Sequence, residues 1–390
     1  MRDPFDFIVM GAGVMGMCTA LAMQQRGYSV AILEAGTLEP SSDTQVQRAY
    51  ALNLASQQLL DELEVWSHVQ PHSTPYERMY VWDAQSDAKI AFDARMLARD
   101  RLGVILAESY LKEALLAQVR TRDVPIITQW QTKTIHPLED KIQLCSADHT
   151  MEAAFLLITD GARSPTRAML QIPVTAWSYH QHALIATVAV EKNHAHTAYQ
   201  VFCAQGPLAF LPLQDPHHCA IVWSSAIPHI ETLMGLSAEA FAQALEEAFE
   251  YKLGKVELLS PRKSYPLQMQ HVQQYVGKRW ALLGDAAHTI HPLAGLGLNM
   301  GLADLSTLLH LMDPKAAIPL SARALRAYQR QRKHALWQTI LFLQGIHLLF
   351  TQSSLPVKMF RRYGLSVCDK LPMLKRKIME HASGIEVQLA

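Results

Sequence analysis

The stretch Leu282-Leu283-Gly284-Asp285-Ala286-Ala287-His288, which continues to Asn299, is the part of this 390-residue sequence that decides the fold. An apolar run ends there at Gly284-Asp285, and a loop punctuated by glycines then leads into a segment with helical spacing. An aspartate that follows a strand projects from the carboxyl edge of the sheet, where open α/β sheets bind their ligands. The stretch therefore predicts a late strand, turn and helix that complete a ligand site begun elsewhere in the chain.

The other half of that site begins near the N-terminus. A strand is predicted over Phe5–Met10, followed by the turn Gly11-Ala12-Gly13-Val14-Met15-Gly16. In such a turn the first glycine permits the bend, the second lets backbone approach a pyrophosphate, and the third lets the next helix pack closely. A helix over 17–26 and a strand over 28–33 follow, and Glu34 then stands where a carboxylate would bind the ribose of an adenosine. The alternative is a chance glycine-rich turn, but the late motif favours a flavin site.

The chemistry of the late motif also suits a flavin. The Asp285 carboxylate can accept hydrogen bonds from a ribityl chain, and the helix that opens near Asn299 would direct its N-terminal amides at the ring and favour the reduced, anionic form. His288 and His291 are spaced like metal ligands on a helix, but Pro292 breaks the helix that such a pair needs. We therefore expect no metal site, and His288 is predicted to be a packed structural histidine.

Composition limits the class of protein. The sequence is 49% hydrophobic, and its five cysteines are scattered and never spaced as Cys-x-x-Cys, which predicts reduced thiols in a cytoplasmic protein. No signal peptide is expected, because a strand begins almost at once, and the longest apolar run, 339–350, is too short to cross a bilayer. With 35 basic and 35 acidic residues, the chain gives no indication of a nucleic-acid partner.

The charge is unevenly distributed. The segment 321–377 holds twelve Lys or Arg residues and one acidic residue, Asp369. This excess predicts a basic surface that faces an anionic partner, such as the inner face of a membrane to which the protein would bind peripherally. The alternatives are a solvated helical face and helices that pack on the rest of the chain and balance its acidic surface.

The order of predicted elements gives the domain organisation. It indicates an α/β fold with α+β elements, in which a β-rich domain interrupts a Rossmann-like FAD-binding domain and a helical region follows. The predicted boundaries are 1–75, 101–171 and 276–320 for the discontinuous FAD-binding domain, 76–100 and 172–275 for the β-rich substrate domain, and 321–390 for the helical basic C-terminal region.

Three motifs in this order resemble those of the group A flavoprotein monooxygenases: the glycine turn at 11–16, Asp160-Gly161, and Gly284-Asp285. Further segments across essentially the whole chain resemble one branch, the ubiquinone-biosynthesis hydroxylases of the UbiH/UbiF/VisC group, and look most like its VisC/UbiI-type members, which hydroxylate a 2-polyprenylphenol. The segments that resemble the branch are 48–52, 206–213, 221–224, 284–295 and 328–333. The likeness to VisC/UbiI-type members rests on segments such as 179–184 and 200–202. One departure is Leu296, because the family usually has Gln there; backbone amides remain, but a polar contact near the ring is lost.

The resemblance implies which residues contact FAD. They are Gly11, Ala12, Gly13, Met15, Gly16, Glu34, Ala35, Arg48, Asp160, Gly161, Asp285, Pro292, Gly295, Leu296, Gly297, Leu298 and Asn299. The guanidinium of Arg48 suits the pyrophosphate because it pairs bidentately with phosphate oxygens; a surface arginine is the alternative. No second glycine-rich nucleotide motif occurs, so NAD(P)H is expected to bind transiently over the same domain, near Asp160.

The reaction that the resemblance implies is hydroxylation of a lipophilic phenol or quinol, with NAD(P)H and O2 as co-substrates. Such chemistry needs a pocket that excludes water, and we predict that Phe202, Phe210, Leu211 and Trp223 line it, with ordinary core packing as the alternative. His291, just before the loop proline, is the one candidate for a catalytic residue that polarises the phenol.

Two other classes of function remain as alternatives. The first is a halogenase or reductase on the same flavin fold, although no two of the seven tryptophans stand two residues apart, as the Trp-x-Trp segment of flavin halogenases requires. The second is a non-catalytic subunit of a quinone-biosynthesis assembly that holds lipid intermediates, a role which Leu296 alone favours.

Overall fold

Strands and helices alternate through the first part of the chain and again near its end. The structure is a computed structural model that describes residues 5–38, 48–86, 88–290, 295–313, 320–351 and 371–384. Its strands are β1 (Phe5–Met10), β2 (Val30–Leu33), β3 (Ala49–Asn53), β4 (Thr74–Tyr76), β5 (Arg78–Asp83), β6 (Lys89–Asp93), β7 (Gly103–Ala107), β8 (Ile126–Ile127), β9 (Thr134–Pro137), β10 (Ile142–Cys145), β11 (Thr150–Ile158), β12 (Val174–Val190), β13 (Thr197–Cys203), β14 (Gly206–Pro212), β15 (His218–Ala226), β16 (Val256–Leu258), β17 (Lys263–Val272), β18 (Val276–Gly277), β19 (Trp280–Leu282) and β20 (His288–Thr289). Its helices are α1 (Val14–Gln25), α2 (Leu54–Glu62), α3 (Trp66–Val69), α4 (Glu108–Thr121), α5 (Pro165–Met169), α6 (Ile227–Gly235), α7 (Ala238–Ala248), α8 (Leu296–Leu311), α9 (Ala322–Thr351) and α10 (Pro372–Ser383).

The first sheet carries the predicted site. Its order is β18-β19-β11-β1-β2-β8, and the pairs β19–β11, β11–β1, β1–β2 and β2–β8 are all parallel. The strands β1 and β2 are buried apolar runs, as expected where helices cover both faces of a parallel sheet. Because parallel strands end at the same edge, the residues that follow β1, β2, β11 and β19 are brought together.

Most strand and helix positions near this edge follow the sequence prediction. The strand over Phe5–Met10 has the predicted bounds, and the next one is two residues shorter at its start. The helix predicted over 17–26 begins earlier, at Val14, because Gly13 is its N-cap in an extended conformation. The motif glycine at position 16 therefore lies inside the first turn of α1.

The second sheet has nine strands in the order β20-β17-β12-β15-β14-β13-β5-β6, with β16 beside β12. One face packs against α6 and α7 in a core that includes Leu184, Phe210 and Trp223. Side chains alternate between the two faces of a strand. Ile185, which follows Leu184, and Val222, which precedes Trp223, therefore lie on the opposite face. Both are half-buried.

The C-terminal helix α9 is part of the same body as the first sheet. Tyr328, Leu336 and Ile340 are buried in the core that contains that sheet, and the Tyr328 hydroxyl donates to the carbonyl of Leu282 at 2.8 Å. This supports the alternative in which the helices pack on the rest of the chain. Within the ranges that the structure describes, no helix is long and apolar enough to cross a membrane.

The fold class is confirmed: a mixed α/β structure with a Rossmann-like sheet, a β-rich part and helices at the C-terminal end. The strands β5 and β6 join the second sheet from an early part of the chain, and β20 joins it from the late motif. The division into domains at the boundaries given above stays a prediction.

Candidate functional site

The glycine turn after β1 leaves open space at one position only. A Cβ on Gly16 would lie 1.8 Å from the carbonyl oxygen of Gly11, and one on Gly11 would lie 3.0 Å from the Cα of Asp160. A Cβ on Gly13, by contrast, would meet no atom of the described residues within 4 Å. The turn is therefore closed where the helix and neighbouring strand approach it and open at Gly13, where a pyrophosphate would approach backbone.

The carboxylate of Glu34 is fixed at the end of β2. One oxygen accepts the backbone N–H of Ala12 at 2.7 Å, and the other accepts that of Gly36 at 2.8 Å. Each carboxylate oxygen can accept a further hydrogen bond, so Glu34 retains capacity for ribose hydroxyls. Ala35, the next residue, is exposed, and its carbonyl accepts from the side chain of Gln131.

Asp160 follows β11 and has one unused acceptor. Its Oδ2 accepts the backbone N–H of Thr166 at 3.1 Å, whereas Oδ1 is buried and has no hydrogen-bond partner among the described residues. Burial raises the pKa of this carboxyl above its ordinary value. Gly161 has a φ of +84°, a left-handed conformation that glycine adopts readily. A buried acceptor without a donor is the feature expected where a ligand hydroxyl binds.

Asp285 lies beside the same edge, after β19. It is half-buried, and burial raises the pKa of its carboxyl, although Arg48 and His288 act to lower it. Arg48 lies over the ring of Tyr50, with its guanidinium carbon 5.3 Å from the ring centroid. The Asp285 carboxylate and the Arg48 guanidinium therefore attract each other electrostatically.

The N-terminus of α8 approaches this edge from the late motif. Gly295 is its N-cap with a φ of +60°, and a Cβ there would lie 3.1 Å from the Cβ of Ala51. A Cβ on Gly297 would meet nothing within 4 Å in the described part of the chain. Leu296 and Leu298 are half-buried against the main core. Leu296 thus contributes its side chain to core packing at the start of α8.

The side chain of Asn299 makes three hydrogen bonds to the segment 51–56. Its Oδ1 accepts the N–H of Asn53 at 3.0 Å and the hydroxyl of Ser56 at 2.7 Å, and its Nδ2 donates to the carbonyl of Ala51 at 2.7 Å. These bonds tie α8 to β3 and α2. A flavin contact from Asn299 stays a prediction, and it would have to come from the backbone.

Two predicted residues cannot be placed. His291, the catalytic candidate, and Pro292 lie outside the described residues. Met15 is described: it is half-buried, and Gly284 and Gly301 approach it so closely that a Cβ on either would lie about 3 Å from its side chain. The small residues there let α8 pack against the turn that carries Asp285.

Two of the predicted pocket residues lie on the covered face of the second sheet. Phe210 is fully buried and stacks on Phe249 at 3.9 Å between ring centroids, and Trp223 packs edge-on against His229. Both belong to the core beneath α6 and α7, so the structure favours core packing for them. Sequence alternation could not show which face the helices cover.

The other two predicted pocket residues lie on the opposite face. Leu211 is half-buried, and Phe202 packs with Val81 and Ile90 at the end of the sheet near β6. The strand register brings Ile185, Ala209 and Val222 onto this face as well, and all three are half-buried. We call Ile185, Ala209, Leu211 and Val222 the open face. Apart from Leu211, the sequence prediction did not identify its residues.

Tyr265 lies on the same side of the second sheet as the open face and interacts electrostatically with Arg48. Tyr265 on β17 pairs with Ala183, on the same side of the sheet as Ile185, and is 46% exposed. Burial lowers the pKa of the Arg48 guanidinium, but nearby groups, Asp285 and Tyr265 among them, raise it above its ordinary value. Arg48 therefore interacts electrostatically both with Asp285, which follows the first sheet, and with Tyr265 of the second sheet.

A buried ionic cluster lies behind the Gly284–Asp285 turn. Asp304 on α8 is fully buried, and its carboxylate accepts from the Gly284 N–H at 2.9 Å, from His288 Nε2 at 2.8 Å and from Arg332 Nε. His288 is thus a packed histidine, as predicted. Asp304 and Arg332 were not identified from the sequence, because buried acids and arginines are rare and no pattern marks them.

Comparisons with known proteins agree with this geometry. A family model described as "FAD binding domain" matches residues 5–342. The chain is 30% identical over 440 residues to the mitochondrial ubiquinone biosynthesis monooxygenase COQ6 of Danio rerio, covering 98% of this chain and 90% of that one. It is 29% identical to the 3-demethoxyubiquinol 3-hydroxylase of Escherichia coli (strain K12), covering 98% and 100%. The crystal structure of p-nitrophenol 4-monooxygenase PnpA from Pseudomonas putida DLL-E4 superposes with a TM-score of 0.78 at 19% identity, covering 97% of each chain, and so shares the fold.

Proposed function

Because the chain belongs to the FAD-binding-domain family, we propose that it is an FAD-dependent monooxygenase that uses NAD(P)H and O2 to hydroxylate a polyprenylphenol-type ring in ubiquinone biosynthesis. The observation that carries the proposal is the single sheet edge where an open glycine turn, Glu34, Asp160 and Asp285 meet. Support also comes from the two relatives described above, one a ubiquinone biosynthesis monooxygenase and the other a 3-demethoxyubiquinol 3-hydroxylase, each matched along nearly the whole chain.

The residues at this edge suit the parts of FAD in order. The backbone at Gly13 and the guanidinium of Arg48 would bind the pyrophosphate, Glu34 the adenosine ribose, and Asp285 the ribityl chain. The N-terminal amides of α8 would face the ring and favour its reduced form. Bound FAD supplies the redox chemistry, accepting electrons from NAD(P)H and activating O2, so that one oxygen atom enters the ring and the other leaves as water.

The open face is the proposed wall for the substrate ring. Its half-buried aliphatic side chains present an apolar surface, as the substrate pocket requires, because water must be kept from the flavin ring if reduced O2 is not to be released as peroxide. Leu211 keeps its predicted role in this proposal, and Ile185, Ala209 and Val222 join it. The aliphatic character matches a lipophilic phenol or quinol rather than a charged substrate.

The test of the proposed function is whether the purified protein is yellow and whether a short-chain prenylphenol stimulates its oxidation of NAD(P)H. Stimulated oxidation excludes the non-catalytic subunit, which would bind the phenol without consuming NAD(P)H. Protein that cannot be reconstituted with FAD would contradict the proposal outright. A matched phenol without the prenyl chain serves as the control for recognition of the lipid part.

We also propose that the C-terminal helices bring the enzyme to an anionic membrane surface, where a polyprenylphenol resides. Trp337, Leu341 and Phe342 on α9 are 46%, 69% and 51% exposed, and α10 exposes Met373. The basic excess is smaller on the surface than in the sequence, because Arg332 and Lys375 are buried. Exposed apolar side chains together with the remaining basic ones suit peripheral binding.

Flotation with liposomes tests this membrane contact. Leu341→Ser should reduce association with vesicles that contain anionic lipid, and added salt should weaken association of the parent protein. Leu138→Ser, at an exposed apolar residue outside the C-terminal helices, is the matched control. The proposal is contradicted if the parent protein floats equally with neutral and with anionic vesicles. It is also contradicted if Leu341→Ser, Leu138→Ser and the parent all float equally with anionic vesicles.

A further inference from the structure

The carboxylate of Asp304 connects three separate parts of the fold. Its Oδ2 accepts from the backbone of Gly284, which precedes the flavin-site residue Asp285, and from His288. His288 lies in β20, which pairs with β17 of the second sheet through His271. The other oxygen, Oδ1, accepts from Arg332 on α9. One buried side chain thus joins the flavin turn, the β-rich sheet and the C-terminal helix.

The cluster is closed to water and almost fully satisfied. Asp304, His288 and Arg332 are 0%, 2% and 3% exposed, and the Arg332 guanidinium also donates to the carbonyl of Met300 at 3.1 Å. Burial alone would raise the pKa of Asp304, but His288 and Arg332 hold it below its ordinary value. Asp304 is therefore a carboxylate at neutral pH and a strong acceptor for the Gly284 N–H.

Stability alone is a poor reason for such a cluster. A buried ion pair loses so much hydration that apolar residues of the same size often stabilise a fold equally well or better. An apolar pair at these two positions would still hold α9 against α8. It would not, however, accept the N–H of Gly284, which fixes the turn from which the Asp285 side chain projects.

We propose that Asp304, supported by Arg332 and His288, is a positioning residue that holds the Gly284–Asp285 turn in place for FAD, so that the C-terminal helix contributes to cofactor affinity. The inference rests on FAD binding, the premise of the proposed function, and not on the hydroxylation reaction. It adds residues that do not themselves touch the cofactor. It also gives Arg332 a role distinct from that of the basic side chains on the surface.

The test compares two double variants that both remove the buried charges. Asp304→Leu with Arg332→Met leaves no acceptor for the Gly284 N–H, whereas Asp304→Asn with Arg332→Met retains an amide oxygen at that point. FAD affinity is measured by adding FAD to apo-protein and following flavin fluorescence, and folding by circular dichroism and thermal melting. The control is Arg330→Met, at an exposed arginine on the same helix.

We call Asp304→Leu with Arg332→Met the Leu/Met variant, and Asp304→Asn with Arg332→Met the Asn/Met variant. The Leu/Met variant should remain folded but bind FAD roughly tenfold more weakly, which is the effect of one lost hydrogen bond to a charged group. The Asn/Met variant should recover most of that affinity, and Arg330→Met should match the parent. Parental FAD affinity in a folded Leu/Met variant would overturn the proposal. So would equal weakening in both double variants, because loss of the ion pair alone would then explain it.

If the Leu/Met variant does not fold, a single substitution, Arg332→Lys, tests whether FAD affinity depends on the ion pair itself. Arg332→Lys keeps a buried positive charge but not the planar fork of donors. The proposal expects FAD affinity close to that of the parent, because Asp304 still accepts the Gly284 N–H. A tenfold loss of affinity with an unchanged far-ultraviolet spectrum would overturn the proposal, since the ion pair alone would then explain the effect. Failure of the proposed function shows differently, since the parent protein would then fail to bind FAD or to hydroxylate a phenol.

Discussion

Substitution of Asp285 by alanine should remove FAD without weakening the apo-protein. No hydrogen bond joins the Asp285 carboxylate to another residue that the structure describes, and burial raises the pKa of this group, so the apo-protein gains little from it. In the bound state the carboxylate would accept one or two ribityl hydroxyls. A hydrogen bond to a charged group contributes about 1.5–3 kcal/mol, which corresponds to a roughly ten- to hundredfold loss of affinity.

The assay is a titration of apo-protein with FAD, followed by flavin fluorescence, alongside thermal melting of the apo-protein. Asp285→Ala should bind FAD at least tenfold more weakly and melt at or slightly above the temperature of the parent. Asp100→Ala, which removes an exposed carboxylate, is the control and should change neither property. The reasoning is refuted if Asp285→Ala retains parental affinity, or if it loses FAD only because the apo-protein has unfolded.

Three further predictions follow from the same geometry. Gly13→Ala should leave the apo-protein as stable as the parent but weaken FAD binding, whereas Gly16→Ala should lower the melting temperature markedly, because its Cβ would lie 1.8 Å from a backbone oxygen; parallel melts and FAD titrations check both. Phe210→Ala should cost about 3–5 kcal/mol of unfolding free energy in denaturant titrations, whereas Leu211→Ser should leave stability nearly unchanged and instead increase the peroxide released per NAD(P)H consumed. Because the pKa of Asp304 is held below its ordinary value, its stabilising contribution is present above that ordinary value, about 4, and is lost as the pH falls through the folded value. The unfolding free energy of the parent should therefore fall more steeply on acidification than that of Asp304→Asn, and equal slopes would contradict the assignment.

The first sheet could be predicted well because its signals are local. The apolar run at Phe5–Met10 and the glycines that follow it define a strand and a turn whose chemistry depends on neighbours in sequence. The carboxyl edge then brings Glu34, Asp160 and Asp285 together, because parallel strands place their ends side by side. The order of the parallel strands was therefore enough to predict that Glu34, Asp160 and Asp285 lie at one edge of the sheet.

The substrate side could not be predicted to the same extent. Alternation shows that Phe210 and Leu211 point to opposite faces, but only the packing of α7 shows which face is covered. Arg332 was counted among surface charges because arginine is usually exposed, and its partner Asp304 lies on another helix, 28 residues away. A buried ion pair between helices leaves no periodic trace in a sequence.

The most direct test of the central claim is a mass-spectrometric assay with isotopically labelled O2. The purified, FAD-loaded protein is incubated with NAD(P)H and a short-chain prenylphenol, and the ring product is analysed. The account predicts a product that has gained one oxygen atom, and that this atom carries the label. Unchanged phenol, with all the reduced O2 recovered as peroxide at a rate that the phenol does not affect, would contradict it.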